Sequence, residues 1–111
     1  MKKVFLSLGF SGRTKEEIMN DIEKAKEIII KYNPDEEIEF IHNYDYESDN
    51  RLECLGEAIK KMSTCSEVYF IGYWDKYRGC KAEFYICELY NIPRFDISLE
   101  CKMTRPLQEN L

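Results

Sequence analysis

The fold is decided by the stretch "VYFIGYWDKYRGCKAEFYICEL", residues 68–89. Its first four residues are all apolar, a pattern typical of a short strand buried on both faces of a parallel sheet. Its second half predicts a helix that begins near Gly79 and ends by Asn91, marked by apolar residues at helical spacing: Ala82, Tyr85, Ile86 and Leu89. A strand that leads into a helix is the repeating unit of an α/β fold. The connection between them crowds aromatic, basic and acidic side chains around Gly79, which raises the question of what this loop binds.

Two further helices are predicted before this stretch. The first begins at a capping box formed by Thr14 and Glu17 and ends at residues 33–34, an Asn-Pro pair. Its apolar face is formed by Ile18, Ile22, Ala25 and Ile29. The second begins at the N-cap residue Asn50 and runs to about residue 64. Its apolar face is formed by Leu52, Leu55, Ile59 and Met62.

Strands are predicted over residues 3–8, 37–41, 68–71 and 92–97, so strands and helices alternate along the chain. This alternation favours parallel pairing with right-handed crossovers. We therefore expect an α/β fold, a three-layer, flavodoxin-like, doubly wound parallel sheet of about four strands in the order 2-1-3-4. At 111 residues the chain fits one domain, predicted over residues 1–97. Residues 98–111 are predicted to form a C-terminal tail or an arm that contacts another subunit.

Composition and charge exclude several classes of function. Hydrophobic residues make up 44% of the chain and charged residues 33%, which is too apolar for a disordered protein. The net charge of −5 argues against a nucleic-acid partner, because phosphate backbones are bound by basic surfaces. The sequence has no apolar run of the roughly 18 residues that span a bilayer, and its apolar start is too short for a signal peptide. We therefore expect a cytoplasmic protein with no membrane partner.

Cysteine and histidine chemistry is not favoured either. The five cysteines are odd in number and widely spaced, with no Cys-x-x-Cys pair, so we interpret them as reduced thiols. The sequence contains a single histidine, His42, with no cluster of metal ligands around it. We expect no metal, no cofactor and no Ser-His or Cys-His catalytic pair.

Ligands of doubly wound sheets bind where the winding reverses, here between the loops after strands 1 and 3. The candidate binding residues of the first loop are Ser7, Gly9, Phe10, Ser11, Gly12 and Arg13. Those of the second loop are Trp74, Tyr77, Arg78 and Gly79, with Lys76 and Lys81 as further cations. Converging cations, helix N-termini and glycines favour an anionic ligand such as a nucleotide phosphate. Trp74 offers a flat face on which a base could stack.

Glu83 is the candidate catalytic residue. In a helix that starts near Gly79 it lies at the close of the first turn, where the helix dipole favours the ionised carboxylate. A carboxylate beside a bound sugar is the residue type that attacks or stabilises an electron-poor anomeric carbon. The alternative interpretation is a structural role, because acidic residues are common in first turns for dipole reasons alone.

Two long stretches resemble a known family. "VFLSLGFSGRTKEEIMNDIEKAKEI" and "LGEAIKKMSTCSEVYFIGYWDKYRGCKAEFYICELYNI" are similar to the first and central parts of the nucleoside 2-deoxyribosyltransferase-like superfamily. The resemblance covers roughly residues 3–97, and it extends to small bacterial and phage proteins and to 2′-deoxynucleoside 5′-monophosphate N-glycosidases. Members share a flavodoxin-like sheet and a glutamate nucleophile that forms a covalent deoxyribosyl intermediate.

The resemblance implies a role for individual residues. Glu83 matches the nucleophile, Gly79 matches a glycine four residues before it, and the loop from Ser7 to Arg13 matches the one that holds a 5′-phosphate. This chain departs from the transferases at Tyr77, since they place an aspartate six residues before the nucleophile. Asp75 is then the candidate for protonating the base, although it lies two residues out of register.

Three functions are therefore expected in order of preference. The first is a nucleotide or nucleoside N-glycosidase or deoxyribosyltransferase-like enzyme that uses Glu83. The alternative is a non-catalytic nucleotide-binding module, which the missing aspartate favours. The third is an FMN-binding flavodoxin-type protein that would use Trp74 and the Ser/Thr-rich first loop. The resemblance also implies a homodimer or higher homo-oligomer, and it leaves the base, the sugar and the choice between hydrolysis and transfer open.

Overall fold

The computed structural model describes residues 1–97, so the tail or arm predicted for residues 98–111 lies outside the described residues. The described chain forms four strands: β1 (Lys2–Ser7), β2 (Ile38–Ile41), β3 (Glu67–Ile71) and β4 (Arg94–Ile97). It forms three α-helices: α1 (Lys15–Tyr32), α2 (Arg51–Met62) and α3 (Arg78–Leu89). A short 3₁₀ turn, Trp74–Lys76, lies between β3 and α3 and was not predicted.

The four strands form one parallel sheet in the order β2-β1-β3-β4. β1 and β3 occupy the centre and are almost entirely buried, as their continuous apolar sequences predict. The α/β fold, the parallel pairing and the strand order predicted from the sequence are therefore confirmed. Because Ser7 pairs with Phe70, the carboxyl ends of the two central strands lie side by side, and the loops that follow them share one edge of the sheet.

Local signals in the sequence account for the starts of the first two helices. At the start of α1 the backbone N–H of Glu17 donates to Thr14 Oγ1 at 3.1 Å, and the backbone N–H of Thr14 donates to Glu17 Oε1 at 3.0 Å. This is the predicted capping box. At the start of α2, Asn50 Oδ1 accepts from the backbone N–H groups of Leu52 and Glu53 at 3.0 and 3.1 Å. Both helices thus begin with their first backbone donors satisfied by a side chain.

Helices cover both faces of the sheet and produce two cores. On one face, α1 packs the side chains predicted for its apolar stripe against β1, β3 and β4. On the other face, α2 and α3 pack against Phe5, Val68 and Phe70. The predicted three-layer arrangement follows, and no helix of residues 1–97 is long and apolar enough to cross a membrane.

The buried faces of α2 and α3 differ from the prediction. In α2 the buried residues are Ala58 and Met62, whereas Leu52 is 78% exposed at the first turn. In α3 the apolar Tyr85 and Leu89 are each 60% exposed, and the side chains that face the sheet are Cys80, Glu83 and Cys87. Apolar spacing located α3 correctly, but the buried face of the helix consists of two small thiols and a carboxyl group rather than the apolar residues that marked it.

Candidate functional site

A cavity of about 670 Å³ lies at the carboxyl ends of β1 and β3, where the winding of the sheet reverses. This volume is in the range of small-molecule sites, and the place is the one that doubly wound sheets use for ligands. Its wall combines the end of β1 and the loop after it, the start of α2, and the start of α3. The polar lining residues are Ser7, Ser11, Asn43, Arg51, Lys76, Tyr77, Arg78 and Glu83.

The carboxyl group of Glu83 is the central polar feature of this wall. Ser7 Oγ donates a hydrogen bond of 2.6 Å to Glu83 Oε1 across the boundary between β1 and α3. Ser7 is 2% exposed and Glu83 8% exposed. Glu83 is also the only acidic side chain that lines the cavity within residues 1–97, and none of its hydrogen bonds there comes from a cation.

Burial controls the ionisation of this carboxyl group. Loss of water around Glu83 raises its pKa from 4.5 to about 7, and the Ser7 hydrogen bond acts in the opposite direction. The sequence predicted that the helix dipole would favour the ionised carboxylate, but in the structure desolvation dominates and favours the neutral acid. The expected position was wrong: α3 begins at Arg78, which places Glu83 in the second turn, where the effect of the dipole is weaker.

The two buried thiols of α3 flank Glu83 on the same face of the helix. Burial raises the pKa of Cys80 to about 12 and that of Cys87 to about 11, and the charge of Glu83 acts in the same direction on both. Both thiols are therefore neutral near pH 7 and cannot serve as thiolate nucleophiles. Within the described residues Glu83 is the only buried side chain lining the cavity that titrates near neutral pH.

Three cations line the same cavity from three different elements: Arg51 at the start of α2, Lys76 in the 3₁₀ turn and Arg78 at the start of α3. They form no ion pair within residues 1–97. The N-terminus of α3 between them has no side-chain cap from Tyr77 and no acidic residue in its first turn. This side of the cavity is therefore electropositive in a chain whose net charge is −5.

Arg13, a candidate phosphate ligand, lies outside the cavity lining. Its Nη2 atom forms an ion pair with Asp21 Oδ2, and its Nη1 atom donates to the Gly9 carbonyl oxygen at 3.0 Å. Gly12 lies outside the lining as well, and its φ of 75° forms the turn from which Arg13 points back. The guanidinium group therefore holds the loop after β1 in shape.

Gly9 and Tyr77 bring the two predicted loops into contact. A Cβ atom at Gly9 would lie 2.2 Å from the Tyr77 ring, so only glycine permits this approach. Both residues line the cavity together with Phe10, Ser11 and Gly79. The structure thus brings most of the predicted binding residues to one place.

Trp74 and Asp75 lie outside the lining of the cavity. Trp74 is 1% exposed, and its ring stacks on Phe84 with the ring centres 4.8 Å apart and also contacts Phe70. The expected stacking of a ligand on Trp74 is therefore incompatible with this arrangement, because the 3₁₀ turn places the indole inside the core. The aromatic side chains available to a ligand here are Phe10 and Tyr77.

Sequence analysis missed the contribution of α2. Arg51, Cys54 and Leu55 of α2 line the cavity, and so does Asn43 in the connection between β2 and α2, whereas the sequence predicted binding residues in the loops after strands 1 and 3. The sequence did contain a signal for this contribution, because the helices that connect parallel strands start at the edge of the sheet where the strands end. The N-cap Asn50 therefore already placed Arg51 at this edge.

Residues 1–97 contain no group of three or more His, Cys, Asp or Glu side chains that could hold a metal ion. Comparisons of the chain with protein-family models, with curated proteins and with solved structures find no match. The fold and the cavity therefore define the class of this protein only as a flavodoxin-like α/β protein with a polar cavity at the reversal of its sheet.

Proposed function

We propose that this protein binds a nucleotide or nucleoside in the cavity and cleaves its N-glycosidic bond with Glu83 as the nucleophile. The observation that carries the proposal is the position of Glu83, which is 8% exposed, faces the cavity and is hydrogen-bonded to a hydroxyl group. Burying a carboxyl group without a cation beside it costs stability, and such groups occur preferentially at functional sites. The resemblance to the nucleoside 2-deoxyribosyltransferase-like superfamily assigns the same role to the same residue.

In the proposed reaction Glu83 acts as the carboxylate. One of its oxygens forms a bond to C1′ of the sugar while the C1′–N bond breaks, and the electron pair leaves with the base, which takes a proton from solvent. A water molecule then adds its oxygen to C1′, the ester bond to Glu83 breaks, and the released proton passes to solvent. If a second base replaces the water, the same intermediate leads to transfer.

The electropositive side of the cavity supports a phosphorylated ligand. Arg51, Lys76 and Arg78 have no acidic partner within the described part of the chain, so each is available to a phosphate. Guanidinium groups suit this role because they bind phosphate with two parallel hydrogen bonds. Of the cations proposed from the sequence, Arg78 and Lys76 therefore stay in the proposed phosphate contact, Arg13 leaves it, and Arg51 is added.

The alternative function is a nucleotide-binding module without turnover. It is favoured by one observation: among residues 1–97, Glu83 is the only acidic side chain in the cavity wall, so no second carboxyl group is placed to protonate the leaving base. Asp75, the residue expected for that step, does not line the cavity. The FMN-binding hypothesis loses its main support, because the ring of Trp74 is buried in the core.

The proposed function is tested by incubating the purified protein with a panel of nucleosides and their 5′-monophosphates. Free base is then measured by chromatography. We expect base release from at least one member of the panel, with monophosphates preferred to nucleosides. Tight binding with no base release from any member would favour the binding module. The homo-oligomer expected from the sequence stays a prediction, which sedimentation measurements can check.

A further inference from the structure

We infer that Ser7 is the positioning residue for Glu83: it holds Oε1 so that Oε2 is the atom that attacks, and its hydrogen bond favours the ionised carboxylate. The part of this inference that concerns attack by Oε2 rests on the proposed function. The effect of Ser7 on the carboxyl group can be measured without any turnover.

The geometry singles out one oxygen of the carboxylate. The 2.6 Å hydrogen bond from Ser7 Oγ reaches Glu83 Oε1, and Oε2 accepts no hydrogen bond within residues 1–97. A bond of this length is typical of a hydroxyl group that donates to a charged acceptor. Since the carboxyl group lines the cavity, Oε2 is the oxygen left available to a ligand.

Ser7 is fixed more firmly than a surface hydroxyl group would be. It is the last residue of the central strand β1, it pairs with Phe70 of β3, and it is 2% exposed. A rigid strand therefore orients the donor, whereas Glu83 has a long side chain with several accessible rotamers. A catalytic group needs such support if its reactive atom is to stay in place.

The other titratable groups around Glu83 do not stabilise its ionised form by direct contact. Cys80 and Cys87 lie beside it on α3 as neutral thiols, since burial raises the pKa of both. The cations Arg51, Lys76 and Arg78 line the same cavity from α2, the 3₁₀ turn and α3, but they form no ion pair with the carboxylate. From β1, Ser7 is the group that contacts Glu83 and favours its charged form.

The test is a carbon-13 NMR titration of protein labelled with glutamate at the side-chain carboxyl carbon. Glu83→Gln identifies the Glu83 signal by its loss. In the wild type this signal should titrate near pH 7. In Ser7→Ala it should titrate about one pH unit higher, because a hydrogen bond to the charged form has been removed. Ser7→Thr, which keeps the hydroxyl group, should titrate close to the wild type.

Ser7→Cys repeats the test with a side chain of similar shape. Because a thiol is a weak hydrogen-bond donor, Glu83 should again titrate at a higher pH than in the wild type. An unchanged titration midpoint in a folded Ser7→Ala or Ser7→Cys variant would overturn the inference. If the wild type releases base, the acidic limb of the pH–rate profile should lie at higher pH in Ser7→Ala than in the wild type, by the same amount as the NMR titration. A shifted titration in a wild type that releases no base would contradict the proposed function and leave the control of ionisation by Ser7 standing.

Discussion

Two carboxylates near the same edge of the sheet are held in opposite ways. Asp21 pairs with Arg13, both side chains are 22% exposed, and the same guanidinium group also binds the Gly9 carbonyl oxygen. Glu83 is 8% exposed, faces a cavity, and has the Ser7 hydroxyl group as its hydrogen-bond partner. The first arrangement satisfies charges and stabilises a loop. The second keeps an acid partly unsatisfied, and acids of this kind occur preferentially at functional sites.

The comparison separates stability from function within one small domain. A partly exposed carboxylate that pairs with a loop arginine can be removed at a modest cost and with no effect on a ligand. A buried carboxylate without a cation lowers the stability of the protein whenever it is ionised, so its presence needs another explanation.

The largest effect on stability should come from Glu83→Gln, and it should be stabilising. Because the pKa of Glu83 rises from 4.5 to about 7 on folding, the folded protein binds this proton more tightly than the unfolded chain. Stability is therefore lost as the pH rises from about 4.5 to about 7, and the whole cost is present above pH 7. At pH 8 the variant should be more stable than the wild type by up to about 3 kcal/mol. Urea unfolding at pH 8 and pH 4.5 measures the difference, which should nearly vanish at the lower pH.

Asp21→Asn is the matched control, because it makes the same chemical change in the other pair. It removes the ion pair between α1 and the loop after β1 and should lower stability at pH 8 by about 1 kcal/mol. A Glu83→Gln variant that is less stable than the wild type at pH 8 would show that the carboxylate has a structural role.

The next largest effect is on ligand affinity, and it should come from the cations that line the cavity. Arg51→Ala and Arg78→Ala should each weaken the binding of a nucleoside monophosphate by roughly ten- to a hundredfold, since one charge-assisted contact is worth about 1.5–3 kcal/mol. Calorimetry on the Glu83→Gln background avoids consumption of the ligand. Binding of the corresponding nucleoside should change little.

Lys81→Ala is the control for this experiment. Lys81 is exposed on α3 and does not line the cavity, so the substitution makes the same change in net charge close to Arg78. An equal loss of affinity in Lys81→Ala would show that the cations act only through the general field of the protein.

The smallest effect is expected at Arg13. Arg13→Ala removes the ion pair to Asp21 and the bond to the Gly9 carbonyl oxygen, and it should cost about 1 kcal/mol of stability. Affinity for a monophosphate should stay within about twofold of the wild type. A tenfold loss of affinity with unchanged stability would return the phosphate contact to the loop after β1.

The fold was predictable because the deciding signals are local. The apolar runs of β1 and β3 and the caps at Thr14 and Asn50 each depend on a few neighbouring residues. Once strands and helices alternate, handedness and burial leave few topologies. The same topology predicted that a ligand site would lie at the carboxyl ends of β1 and β3, where the structure has its cavity.

The orientation of single side chains was not predictable, because it depends on contacts distant in sequence. From the sequence Arg13 could point to a ligand or back to its own loop, and in the structure it pairs with Asp21 of α1. Trp74 turns into the core because an unpredicted 3₁₀ turn precedes α3. The burial of Glu83 depends on which face of α3 packs on the sheet, and the apolar residues that mark the helix do not define that face.

The account is tested most directly by base release from a nucleoside 5′-monophosphate, measured with wild-type protein and Glu83→Gln under identical conditions, with Asp21→Asn as control. We predict that Glu83→Gln lowers the rate of release by orders of magnitude while its affinity for the ligand stays within a few fold. That pattern identifies an interaction made mainly in the transition state. Asp21→Asn should release base at close to the wild-type rate. Equal rates in the wild type and Glu83→Gln would remove Glu83 from the mechanism and contradict the account.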